Sequence, residues 1–95
     1  MGKKLPPNQL KLYQSLDELL FFDWDPIGVS SMEGCRDEYY SYLPVVFQLC
    51  LDHCEPEPIA RYLSKVTEYM GLNPDAPGSQ RIAKRALELK RSCLD

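Results

Sequence analysis

The chain is poor in several things that chemistry needs. It has one histidine, one tryptophan and five glycines among its 95 residues. A single imidazole excludes a site built from several histidines, and it makes His53 the only imidazole base available. Apolar runs approaching the ~20 residues of a membrane span are missing, so no transmembrane helix is expected. Lys3-Lys4 is not followed by an apolar stretch. No secretory signal is therefore read there, and a cytoplasmic protein is expected. Eleven bases against fourteen acids leave a net charge of −3. That balance lacks the clustered bases on which non-specific nucleic-acid binding depends. Without an export signal the four cysteines (Cys35, Cys50, Cys54 and Cys93) read as reduced thiols, and paired Cys-x-x-Cys knuckles are absent.

What is present is an ordinary globular composition with an uneven charge. Hydrophobic residues make up 44% and charged residues 26%, enough for one modest core in a chain of this length. From Asp17 to Glu38 there are seven acids and one base, a segment charge of −6. From Arg81 to Asp95 there are five bases and two acids, giving +3. A dipolar molecule is expected.

Apolar spacing of three and four residues predicts four amphipathic helices, near residues 9–22, 37–52, 57–70 and 79–93. Asn8 is placed to cap the first. Asp25 precedes Pro26 and should leave the α region there. Asp37 and Glu38 suit the first turn of the second helix, whose interior Pro44 should kink it or split it into a short turn and a longer piece. Prolines and acids at Pro56-Glu57-Pro58 open the third helix, and Gly71 ends it. Ser79, after Pro77-Gly78, is placed to cap the fourth. No strand alternates convincingly. The expectation is an all-α protein, a compact bundle of about four helices in a single domain spanning 1–95, with residues 1–8 flexible.

Three constellations could carry chemistry. Cys50, His53 and Cys54 would share one face if the second helix continued through them, but they supply three zinc ligands where a structural site takes about four. Cys50 with His53 could pair as nucleophile and base, yet no Gly-rich turn accompanies them as an oxyanion site. Asp23 and Asp25 begin like a calcium loop, which Trp24, Pro26 and Ile27 then spoil. No metal, cofactor or catalytic residue is therefore assigned. The bases of the last helix read as a solvated face.

The densest signal is Asp23-Trp24-Asp25-Pro26-Ile27-Gly28, followed by Asp37-Glu38-Tyr39-Tyr40-Ser41-Tyr42. Acids beside aromatics at a helix break make a poor core and a good contact surface. The candidate partner-binding residues are Asp23, Trp24, Asp25, Asp37, Glu38 and Tyr40. Aromatics there would supply binding energy, and acids would steer a basic partner.

These two stretches, with Ile59-Ala60-Arg61-Tyr62-Leu63 and Met70-Gly71-Leu72 after them, resemble a group of small bacterial proteins of unknown function. The likeness covers roughly residues 10–73. Tyr40, where a second acid is common, and the cysteines depart from the group's pattern. The resemblance implies a small all-α protein of bacterial or bacteriophage origin. The expected role is a non-enzymatic protein-binding module, such as an inhibitor or an immunity protein that blocks a basic toxin nuclease. The alternatives are a homodimeric helical module and a metal-binding protein using Cys50, His53 and Cys54.

Overall fold

The computed structural model describes residues 5–25, 28 and 39–94. Its helices are α1 (Pro7–Glu18), a π-helical turn (Leu19–Trp24), α2 (Leu43–Asp52), α3 (Glu57–Tyr69) and α4 (Ala76–Leu94). The protein is all-α, a four-helix bundle with no strand among the described residues. Asp37, Glu38, Cys35 and most of the loop after Pro26 lie outside those residues.

α4 is the central element. It packs on α3, α1, the π turn and α2. Its inward stripe is Ile82, Ala83, Ala86 and Leu87, all buried. Leu12, Leu16 and Leu20 meet it from the first segment, and Ile59 and Leu63 from α3. Each such aliphatic side chain contributes about 1.5–3 kcal/mol when fully buried.

The helix ends follow local chemistry, and three starts differ from expectation. α1 begins at Pro7, with Pro6 as its N-cap and no side-chain cap. Proline at the first helical position loses only an N–H that would be unsatisfied anyway. Asn8 is thus already inside the first turn. Its Oδ1 accepts from the Gln9 N–H at 2.9 Å and does not cap. Leu5 also packs against the core, within the stretch expected to be flexible.

The second helix starts at Leu43, not near Asp37. Tyr39–Tyr42 forms a separate turn, closed by the Tyr42 N–H donating to the Tyr39 carbonyl at 3.0 Å. Pro44 then falls in the first turn of α2, where it costs no hydrogen bond. Of the two outcomes expected for Pro44, the division into a turn and a longer helix is the one observed.

α3 ends at a Schellman motif. The Gly71 N–H donates to the Glu68 carbonyl at 2.9 Å, and Leu72 N–H to Thr67 at 3.1 Å. Gly71 takes φ 83°, the left-handed geometry that this motif asks of its glycine.

α4 starts at Ala76, three residues before the expected Ser79 cap. Asp75 is the cap. Its carbonyl accepts from Ser79 N–H at 2.8 Å, and its Oδ1 accepts from Gly78 N–H at 3.1 Å. Pro77-Gly78, a breaker in most contexts, sits in the first turn, where proline is tolerated. Ser79 is buried instead, and its hydroxyl accepts from Ser64 Oγ at 3.0 Å.

Candidate functional site

The aromatic end of the bundle is built on the π turn. The Asp25 N–H donates to the Leu20 carbonyl five residues back, at 3.0 Å. This wide turn ends at Asp25, which has φ 32° and ψ 60° in the left-handed region. That geometry costs a non-glycine residue about 1–2 kcal/mol. The expected departure of Asp25 from the right-handed α region is therefore observed. Asp25 is held there by chemistry: the buried Tyr39 hydroxyl donates to its Oδ1 at 2.7 Å.

Rings stack around this bond. Trp24 lies 5.3 Å from Tyr39 and 6.2 Å, edge-on, from Tyr42. Phe21 reaches Tyr39 at 6.4 Å and meets Phe22 edge-on at 4.9 Å. Phe21 and Tyr39 are buried, Trp24 and Tyr42 half-buried. Phe22 is 57% exposed and Tyr40 49% exposed.

The residues expected to form one contact face are distributed over three concavities. Trp24 lines a cleft of about 360 Å³ with Leu72, Asn73, Asp75, Arg81 and Ile82. Asp23, exposed, lines a second of about 290 Å³ with Glu18, Leu19, Phe22, Arg85 and Leu89. Tyr40 lines a third of about 370 Å³ with Leu10, Tyr13, Asp17 and Leu43. Asp25 turns toward Tyr39, where it serves structure. Asp37 and Glu38 lie outside the described residues.

Phe22 was not among the expected contact residues, although it is the most exposed of the rings at this end. The available signal was its neighbour: two consecutive helical residues do not face the same way, so Phe21 and Phe22 cannot both enter the core.

The charge pattern is also rearranged. Packing of α4 against α1 and the π turn brings Arg85 to the same groove as Glu18 and Asp23. Arg85 pairs with Glu88 at 3.2 Å, both side chains more than half exposed. Such a pair contributes little to stability.

The Cys50, His53 and Cys54 constellation does not assemble. α2 stops at Asp52, and His53 is extended at φ −130°, ψ 149°, so the expected common helix face is lost. Cys50 is fully buried and Cys54 exposed. Burial pushes the Cys50 thiol up to about 11, with a small opposing effect from Lys90. The thiolate is therefore scarce near neutral pH. Lys90 Nζ donates to the His53 carbonyl at 3.1 Å. Among the described residues no group of three His, Cys, Asp or Glu side chains is placed to hold a metal ion. No helix of the described residues is long and apolar enough to cross a membrane.

No protein-family model, curated protein or solved structure matches this chain.

Proposed function

We propose that this chain is a non-catalytic protein-binding module whose acidic, aromatic end blocks a basic partner, such as the active-site surface of a bacterial toxin nuclease. The observation that carries this reading is the exposed ring of Phe22, mounted edge-on against the buried Phe21, with Tyr40 a second exposed ring. A ring already ordered by its neighbours loses little freedom on binding, so more of its contact energy appears as affinity. The exposed carboxylates of Glu18 and Asp23 beside Phe22 favour a partner of opposite charge.

The non-catalytic part of the reading is supported by Cys50, whose buried thiol holds its proton. A cytoplasmic setting is part of the same reading, supported by free thiols at Cys50, Cys54 and Cys93.

Site-specific photo-crosslinking tests it. A benzophenone side chain is placed at position 22, at position 40, and at exposed Glu68 on α3 as a control. Adducts with one basic protein from position 22 or 40, absent from position 68, are expected. No adduct from either ring position, or the same adducts from all three, refutes the reading.

A further inference from the structure

We propose that the groove beside Phe22 docks a basic, amphipathic segment of another protein, with a lysine or arginine of that segment seated between Glu18 and Asp23. This deepens the protein-binding reading and rests on it. It locates the contact on the face of α1, the π turn and α4, and away from the Trp24 cleft.

Four observations lead there. First, Glu18 and Asp23 are exposed, and among the described residues neither side chain is held by a hydrogen bond or ion pair. Second, Arg85, the base that lines the groove among the described residues, is already engaged by Glu88. The Arg85–Glu88 pair is neutral, so the two free carboxylates leave the groove at −2. Third, the groove carries apolar surface beside those charges, chiefly from half-buried Leu89 and the 57% exposed ring of Phe22. Fourth, the Phe22 ring meets Phe21 edge-on at 85°, and Phe21 is buried.

Together they specify the occupant. A small anion is repelled by the uncompensated carboxylates. A purely apolar segment would strip water from two carboxylates and give nothing back. A long basic side chain satisfies both demands, because its aliphatic stem lies along the ring while its charged head meets the acids. A volume of about 290 Å³ suits one or two side chains of a docked segment.

The experiment uses the full chain and a labelled model peptide of leucine and lysine, spaced to form an amphipathic helix. One control peptide has glutamate for lysine, and another has serine for leucine. Fluorescence anisotropy should show binding of the leucine–lysine peptide alone. Phe22→Ala should weaken it about tenfold, the loss typical of an anchor residue. Phe22→Lys, which adds a like charge toward the peptide, should weaken it further. Glu18→Gln with Asp23→Asn should weaken binding and flatten its dependence on salt. Tyr69→Ala, 88% exposed on α3 and outside the groove, should leave it unchanged. Circular dichroism checks that each variant is folded.

Equal binding of the serine control, or affinity unchanged by Phe22→Ala and Phe22→Lys, overturns the proposal. So does a dimer in light scattering that dissociates on Phe22→Ala, since a second copy would then cover the groove. Crosslinks from position 40 alone would also remove this groove, while leaving the protein-binding reading in place.

Discussion

Asp75 and Gly78 are coupled, and the coupling can be read from stability alone. The Asp75 carboxylate folds back over the first turn of α4 to accept from the Gly78 N–H. A Cβ added at Gly78 would lie 2.8 Å from the Asp75 Cγ and overlap one of its oxygens. The glycine thus leaves room for the cap. Asp75→Ala removes the cap and should cost about 1 kcal/mol. Gly78→Ala has two opposed effects: alanine gains up to about 1 kcal/mol in helix propensity, and the displaced carboxylate forfeits about the same. Its net effect in the wild-type chain should be near zero. In the Asp75→Ala background no carboxylate remains to displace, so Gly78→Ala should there stabilise by about 1 kcal/mol. The double variant should return to roughly wild-type stability, with a coupling energy of about 1 kcal/mol. Urea unfolding followed by far-ultraviolet circular dichroism measures all four corners. In thermal melts, 1 kcal/mol corresponds to about 4–8 °C for a domain of this size. If Gly78→Ala stabilises both backgrounds equally, the carboxylate does not occupy that space and the capping geometry is wrong.

Trp24→Ala should destabilise by about 2 kcal/mol, below the usual cost of a fully buried aromatic because the ring is only half-buried against Tyr39 and Tyr42. An unchanged melting temperature would make the ring a surface group. Cys50 should give the chain an alkaline instability. The folded thiol titrates at about 11 and its ordinary value is 9.0, so between those values the unfolded chain has released a proton that the folded chain keeps. Stability is then unaffected by this group below about 9. It falls as pH rises from there toward 11, by up to about 1.4 kcal/mol per pH unit. Cys50→Ala should flatten that slope in urea titrations at successive pH values. Identical slopes would show that the thiol does not stay protonated.

Where an element ends for local reasons, the sequence reveals it. α3 is the clearest case: Pro56 and Pro58 open it, and Gly71 closes it through two backbone hydrogen bonds. Its expected bounds, 57–70, differ from the observed ones by a single residue. α4 starts before its expected bound because Pro77-Gly78 reads as a turn in sequence, whereas Asp75 caps across it. Pro7 advanced α1 past Asn8 for a similar reason. The contact surface was less legible. Trp24 and Tyr40 stand close in chain order to residues that touch, yet they line different concavities. Nothing in the spacing of Leu19 to Trp24 announces a π turn, because that turn is fixed by what packs on it. The same holds for Cys50 and His53, whose common helical face depended on α2 continuing one more turn.

Along the chain, acids gather before residue 38 and bases after residue 81, as if the molecule had two opposite poles. Folding lays α4 across α1 and the π turn, which places Arg85 in one groove with Glu18 and Asp23. With Arg85 neutralised by Glu88 the groove keeps two negative charges, but at physiological salt their field is screened beyond ~8 Å. Long-range steering is therefore a weak resource for this protein. Close contact is different, because Arg85 is engaged by Glu88 and two carboxylates remain beside an exposed ring. A partner meets that local imbalance only after it has arrived. On this reading, neutralising the two exposed carboxylates should shorten the lifetime of a complex as well as slow its formation at low salt.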